Sequence, residues 1–255
     1  MSSLLFRRPA RVACLAVFVV IFPALRSSAE DQIIMKDGDT ISGQIVSVSD
    51  DQVMVAIRAS NGSVNKIPSR LSDIKTVVMA TPAAVTNVQG AAPATVIATL
   101  EPQIRQFAGL PADWVVAAMA QLAQAYATED QGDRAMALYN RIDTLYPGSK
   151  YHAQAIAGRA AISLKQGKIG DALTALQPII DQANQNIAPS PSDGALYASA
   201  FLVYGQALEA QKKPQQALEA YLTVKTMFYQ NPALAEQADQ FARKLREQNP
   251  GLGVE

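Results

Sequence analysis

The order of hydrophobic and polar positions divides the chain into segments of different character. Between about residues 31 and 79, short apolar runs alternate with turn-forming dipeptides such as Asp37-Gly38 and Asn61-Gly62, which predicts antiparallel strands joined by tight turns. From Thr99 onward, apolar residues recur at helical spacing. Residues 80–98 are rich in Ala, Thr and Pro and carry no charge, which predicts a flexible linker. The predicted fold class is therefore α+β, with two modules.

The strand-rich segment, residues 30–79, is too short to bury a flat sheet on its own, so the sequence predicts closure into a small antiparallel β-barrel. The run from Met35 to Ile45, with Gly43 in it, resembles the first half of the Sm-like motif, in which a glycine lets a strongly bent strand pass. Asp73 to Val78 would supply the last strand. The resemblance implies an Sm/SH3-like barrel. The Asp-x-x-Met-Asn stretch of RNA-binding members is replaced here by Ser49 to Met54.

Three repeats follow in the helical region. In each repeat, a small residue is followed twelve positions later by an alanine, and these pairs are Ala123 and Ala135, Ala160 and Ala172, and Gly205 and Ala217. With the apolar and aromatic positions around them, the pairs resemble the tetratricopeptide repeat. The resemblance implies an all-α solenoid of helical hairpins over 99–255, with repeats at about 115–148, 152–185 and 198–231. A leading helix is predicted from Glu101 to Ala108, and a closing helix at 232–248, with Asn231 as its N-cap.

The amino terminus has the three parts of a secretory signal peptide over residues 1–29. Arg7, Arg8 and Arg11 precede an apolar run from Val12 to Phe22, and small residues follow at Ser27-Ser28-Ala29. The apolar run is shorter than the roughly 20 residues needed to cross a membrane, so we expect cleavage after Ala29 and export to the periplasm or the envelope surface. Cys14 lies inside the run rather than at its end, which predicts no lipid anchor. The general secretory route and the twin-arginine route both stay open.

Charge and residue chemistry narrow the function. After residue 29 the chain has 18 basic and 22 acidic residues, a net charge of −4, and residues 30–80 alone carry −2, which is unfavourable for binding phosphate backbones. One Cys and one His are too few for a zinc site, and no phosphate loop or nucleophile motif is present. His152 is predicted to lie at a helix end, with no carboxylate placed around it. The sequence predicts no enzyme activity, no metal and no cofactor.

The aromatic residues of the repeats, Trp114, Tyr126, Tyr139, Tyr204 and Tyr221, occupy repeat positions that predict packing in the core rather than ligand binding. Paired carboxylates at Asp37/Asp39 and Asp50/Asp51 fall at predicted turns, where Asp is a common turn former, so calcium binding is not favoured.

The tetratricopeptide resemblance implies a groove on the opposite face of each first helix. Its predicted lining is small, amide-bearing and nearly uncharged, and consists of Ala117, Ala120, Gln124, Gln154, Ala157, Ala161, Leu202 and Gln206. Members of this family that bind acidic tails present Lys and Arg there, so a hydrophobic or extended polypeptide is the expected ligand. A merely solvated surface is the alternative for this face.

The leading hypothesis is thus an exported, non-enzymatic adaptor that binds another protein of the bacterial envelope. Two alternatives remain, both led by the barrel. One is an Sm-like nucleic-acid-binding protein, which would require that residues 1–29 are not an export signal. The other is a self-assembling ring formed by pairing of edge strands.

Overall fold

The computed structural model describes residues 30–49, 51–186 and 188–252. The predicted signal peptide, with Cys14, lies outside the described residues, and so does Asp50.

The first part of the described chain is one antiparallel sheet in the order β4-β3-β2-β1-β5. Its strands are β1 (Asp31–Met35), β2 (Thr40–Ser49), β3 (Gln52–Arg58), β4 (Val64–Arg70) and β5 (Ile74–Val78). Both predicted turn dipeptides are used, since Gly38 has a φ of 101° and Gly62 a φ of 83°. Asp37 and Asn61 accept hydrogen bonds from backbone N–H groups two residues on, as turn residues do.

The sheet buries one apolar face and has two open edges. Ile33, Val53 and Val55 are fully buried, and Gly43 lets β2 approach β3, because a Cβ there would lie 2.7 Å from the Ala56 carbonyl oxygen. Hydrogen-bonded pairing ends at β4 and at β5, and the described strands show no pairing of these two edges. An antiparallel sheet is therefore present, and its closure into a barrel stays a prediction.

The rest of the described chain is helical. The helices are α1 (Ala83–Thr86), α2 (Pro93–Phe107), α3 (Asp113–Thr128), α4 (Gly132–Leu145), α5 (His152–Lys165), α6 (Ile169–Gln185), α7 (Pro191–Ala210), α8 (Pro214–Met227) and α9 (Pro232–Gln248). Asn231 caps α9, since its side-chain oxygen accepts a hydrogen bond from the Leu234 N–H at 3.2 Å.

The prediction of a flexible linker over residues 80–98 is wrong. The segment contains α1 and the first six residues of α2, and its three valines, Val85, Val88 and Val96, are buried. The leading helix accordingly begins at Pro93 rather than at Glu101. Proline stands at the first helical position, where its missing N–H costs nothing, and Val96 begins a buried stripe that continues through Leu100, Ile104 and Phe107.

The sheet and the first helices share one hydrophobic core. The buried residues of β1, β2, β3 and β5 form one contiguous cluster with those of α1 to α4 and with Ala155 and Ile162 of α5. The Gln106 side chain on α2 also donates a hydrogen bond to the Val46 carbonyl of β2 at 2.5 Å. A second cluster begins on α5 at Ala157 and continues to Leu245 on α9. The sheet is therefore packed against the helical region, and α5 contributes to both cores.

Candidate functional site

Consecutive helices pair into three hairpins, α3 with α4, α5 with α6, and α7 with α8. The first helices also contact one another, because α3 packs on α5, α5 on α7, and α7 on the closing helix α9. The second helices of successive hairpins make fewer mutual contacts. The first helices therefore lie side by side and form one side of the helical region.

We use the term inner face for the solvent-accessible stripe on the first helices. It consists of Ala117, Gln121 and Gln124 on α3, Gln154 and Ala161 on α5, and Gln206 on α7. The three α3 residues are spaced by four and three positions, which places them above one another on a helix. The stripe carries four amide side chains and no formal charge, so it presents hydrogen-bond donors and acceptors without favouring either sign of charge.

The small residues predicted from the repeats hold the helices of each hairpin close together. Ala123, Ala135, Ala172 and Ala217 are fully buried. At Gly205 on α7 an added Cβ would lie 2.5 Å from the Tyr221 ring on α8 of the same hairpin. Successive hairpins also pack closely, since a Cβ added at Gly158 on α5, a residue outside the predicted pairs, would lie 2.3 Å from the Tyr139 ring on α4. Each aromatic ring therefore occupies the space that a missing side chain leaves.

The prediction that the repeat aromatics pack in the core holds for four of the five. Trp114, Tyr126, Tyr139 and Tyr221 are buried. Tyr204 is only partly buried, and its hydroxyl contacts the Gln177 side chain on α6 at 3.4 Å.

Three of the eight predicted groove residues are in the core instead. Ala120, Ala157 and Leu202 are only 1%, 3% and 5% exposed, so no partner can reach them. These three residues are buried because small alanine side chains let neighbouring helices pack closely, and close packing covers the positions next to the accessible stripe. Of the other five residues, Gln124 is exposed, and Ala117, Gln154, Ala161 and Gln206 are partly exposed.

One end of the inner face contains a cleft of about 310 Å³, which we call the α1 cleft. Its walls include Val85 and Thr86 of α1, Trp114, Ala117 and Gln121 of α3, and Tyr151 just before α5. The Gln121 side chain donates a hydrogen bond to the Val88 carbonyl at 3.4 Å. Sequence reasoning missed this cleft, because the residues of its α1 wall were assigned to a linker.

Trp114 is the most unusual residue of the α1 cleft. It is 7% exposed, and its ring meets the Phe107 ring edge to face with centroids 5.4 Å apart. Its indole N–H is buried and has no hydrogen-bond partner among the residues that the structure describes. A buried donor without an acceptor is unfavourable by about 1–3 kcal/mol.

A second cleft, of about 450 Å³, lies between α7 and α9 at the other end of the inner face. Gln206 and Glu209 of α7, Tyr221 of α8, and Phe241 and Lys244 of α9 line it. The Tyr221 hydroxyl donates a hydrogen bond to Glu209 at 3.1 Å. Burial, and then the Glu209 charge, raise the pKa of Tyr221 far above its usual value, so its hydroxyl keeps the proton that it donates.

His152 has a carboxylate neighbour, contrary to the prediction. It is the first residue of α5, and its Nδ1 lies 2.9 Å from Oδ1 of Asp143 on α4. Asp143 also forms an ion pair with Arg159, whose guanidinium contacts Asn140 at 3.2 Å. These contacts join α4 to α5 and thus link the first two hairpins.

Across residues 30–49, 51–186 and 188–252, no group of three or more His, Cys, Asp or Glu side chains is placed to hold a metal ion.

Stability should fall at alkaline pH because of Tyr139. Burial raises its pKa from 10.0 to about 12. Well below pH 10 the residue is protonated in both the folded and the unfolded chain. Between pH 10 and 12 the unfolded chain ionises first, so Tyr139 should lower the free energy of unfolding by about 2 kcal/mol between pH 8 and pH 11.5. Denaturant titrations at pH 8 and pH 11.5 measure this loss. The Tyr139→Phe variant should lose less stability over that interval, and an equal loss in both proteins would contradict the assignment.

The described chain is thus an α+β protein in which a five-stranded antiparallel sheet packs on a series of helical hairpins. In the same residues, no helix combines the length and the apolar character needed to cross a membrane.

Comparison with known proteins finds similarity only to solved structures. Protein-family models give no match to this chain, and neither do curated proteins. Among solved structures, the chain is similar to one described as the MamA RS-1 ArsTM double mutant, at 15% identity and a TM-score of 0.40. The similarity covers 68% of this chain and 99% of that one.

Proposed function

We propose that the protein is an exported, non-enzymatic scaffold whose inner face binds a polypeptide segment of another envelope protein. The observation that carries this proposal is the side-by-side arrangement of α3, α5 and α7, which leaves one accessible stripe running across three hairpins. The repeat spacing in the sequence, which resembles that of tetratricopeptide proteins, supports the same function.

The chemistry of the inner face favours an uncharged, extended segment. Gln121, Gln124, Gln154 and Gln206 each offer an amide donor and an amide acceptor, which is what a partner's backbone N–H and C=O groups require. The alanines between them leave room for a chain to approach the helices. An acidic or basic tail would find no complementary charge on these residues.

Quantitative capture from envelope extracts tests the proposal. The full-length protein should retain a partner, and Gln124→Arg with Gln154→Arg should reduce the retained amount about tenfold or more, because two bulky charges enter the stripe. The matched control is Gln215→Arg with Gln216→Arg, which adds the same charges at exposed positions on α8. Equal retention by both double variants would contradict binding at the inner face.

Export is tested separately by mass measurement of the amino terminus. A protein purified from the envelope fraction should begin at Glu30. A chain that still begins at Met1 in the cytoplasm would contradict export and would favour the nucleic-acid-binding alternative led by the sheet.

Self-association through the sheet is a second candidate function, favoured by the two edge strands. Val64 and Ile67 on β4 and Val78 on β5 are large apolar residues that are exposed, and both strands have an unpaired side. Such edges can pair with another copy. Sedimentation of the full chain tests self-association. A concentration-dependent oligomer that Val64→Lys with Val78→Lys abolishes would support pairing of the edge strands. A monomer at all concentrations would exclude it.

A further inference from the structure

We infer that the second cleft, between α7 and α9, binds a basic side chain of the partner segment at Glu209 and a neighbouring carboxylate of that segment at Lys244. This inference rests on the proposed function, because it specifies the chemistry of the partner at one end of the inner face. We call this site the α9 cleft, and its lining consists of Gln206, Glu209, Ala210, Tyr221, Phe241 and Lys244.

Glu209 is a carboxylate in a position where a negative charge is unfavourable. It is only partly exposed, and it lies in the last turn of α7, where the negative end of the helix dipole disfavours an anion. Within residues 30–49, 51–186 and 188–252, Glu209 forms no ion pair. A cation bound beside Glu209 would therefore offset both the partial burial and the helix dipole.

Tyr221 holds the Glu209 carboxylate in place. Tyr221 is fully buried, and its hydroxyl donates the 3.1 Å hydrogen bond to Oε2 of Glu209. A carboxylate can accept more hydrogen bonds than this one, so Glu209 keeps acceptor sites for a ligand. Because the tyrosine hydroxyl is a neutral donor, it orients the carboxylate without cancelling its charge.

Phe241 places an aromatic ring beside this carboxylate. The ring is partly exposed, and it packs against the Tyr221 ring with centroids 5.4 Å apart. A planar guanidinium can form paired hydrogen bonds with a carboxylate while its flat face stacks on an aromatic ring. Arginine therefore matches the α9 cleft better than lysine does.

Lys244 determines what must accompany the arginine. It is exposed on the α9 wall of the cleft, whereas Glu209 is on α7, and no ion pair joins the two residues in the part of the chain that the structure describes. The Lys244 ammonium would repel an isolated arginine, but it would attract an arginine that is followed or preceded by Asp or Glu.

Gln206 connects the α9 cleft to the inner face. It belongs to the inner face and also lines the cleft. Gln206 and Glu209 are three positions apart on α7, so their side chains lie on the same face of the helix. The expected partner segment is thus an uncharged stretch along the inner face that ends in an arginine with an adjacent acidic residue.

Peptide binding to the full-length protein, measured by isothermal titration calorimetry, tests the inference. The probe is an acetylated and amidated peptide of alanine and glutamine residues with one central Arg-Asp pair. Its matched peptide contains citrulline, which has nearly the shape of arginine and no charge. Wild type should bind the arginine peptide about tenfold more tightly than the citrulline peptide, because only arginine forms charge-assisted hydrogen bonds with Glu209.

Glu209→Gln should abolish this preference, so that both peptides bind with the same affinity. Glutamine keeps a side-chain oxygen that accepts the Tyr221 hydrogen bond, so the variant should fold, and circular dichroism verifies its helices. The matched control is Glu219→Gln, which removes the same charge at an exposed position on α8. It should keep the tenfold preference of about the wild-type size.

A second pair of peptides tests the contribution of Lys244. Wild type should bind the Arg-Asp peptide about threefold more tightly than an Arg-Asn peptide, a small effect because Lys244 is exposed. Lys244→Gln should remove this difference, and Lys168→Gln, at an exposed lysine just before α6, should not. An aspartate preference that survives Lys244→Gln would overturn the assignment of the carboxylate to Lys244.

Three outcomes would overturn the assignment of the basic side chain to Glu209. They are the lack of saturable binding of the arginine peptide at millimolar concentration, equal affinity of wild type for the arginine and citrulline peptides, and a preference that survives Glu209→Gln. The test needs no envelope partner. Glu209-dependent peptide binding without partner capture would refute only the proposed function. Partner capture at the inner face with equal binding of the two peptides would refute only the role of the α9 cleft.

Discussion

Replacing Leu100 by Ala is expected to lower the free energy of unfolding by about 2–5 kcal/mol, because the side chain is fully buried and its removal leaves a cavity. Leu100 lies on α2 within the cluster that the sheet shares with the first hairpin. Loss of its contacts should therefore weaken the attachment of the sheet as well as the helices, and denaturant unfolding followed by circular dichroism measures the change.

The control for Leu100 is Thr95→Ala, an exposed position on the same helix, which should change stability by no more than about 0.5 kcal/mol. If Leu100→Ala is as harmless as Thr95→Ala, α2 is not packed against a core, and the region before the hairpins behaves as the linker that its composition predicts.

Gly205→Ala and Gly158→Ala should each destabilise the protein by about 1–3 kcal/mol, which is typical of overpacking in a core. In a helix, alanine is normally favoured over glycine by about 1 kcal/mol, so a loss here reverses the usual sign. The cause is the aromatic ring that an added Cβ would meet, Tyr221 in one case and Tyr139 in the other, both of them buried.

Gly170→Ala is the matched control for these two substitutions. Gly170 is also within a helix, α6, but nothing lies within 4 Å of a Cβ added there. This variant should be more stable than wild type by up to about 1 kcal/mol. Stabilisation by all three alanines would show that α7 and α8, and α4 and α5, are farther apart than the glycine-to-ring contacts require.

The sequence predicts most of the local structure. Turns at Gly38 and Gly62 follow from dipeptides that tolerate a positive φ, and the hairpins follow from pairs of small residues such as Ala123 and Ala135, since close helix packing needs small side chains at both positions. These signals lie within a few residues of the structure that they specify, which is why sequence reading detects them.

Features that depend on tertiary contacts were not predictable in the same way. Residues 80–98 have the composition of a linker, but Val85 and Val88 are buried because they join the core cluster that the sheet shares with the first helices. Asp143 lies nine residues before His152, and the two meet only because a hairpin turn brings the end of α4 to the start of α5.

The candidate site was predicted in part. The repeat pattern identifies which helices form the inner face, but it does not determine how far apart they lie. Because the helices lie close together, Ala120 and Leu202 are buried between them, while Gln124 and Gln206 stay accessible to solvent. The indole N–H of Trp114, which has no partner in the described part of the chain, has no sequence signal, because its state depends on which acceptors the neighbouring helices place beside it.

Site-specific photo-crosslinking in living cells is the most direct test of binding at the inner face. A photoreactive amino acid replaces Gln154 or Gln206 on the inner face, or Gln216 on the exposed side of α8, in the full-length protein. The account predicts a discrete crosslinked product of higher mass from Gln154 and Gln206, and none from Gln216. Crosslinks from Gln216 alone, or equal crosslinking from all three positions, would contradict it.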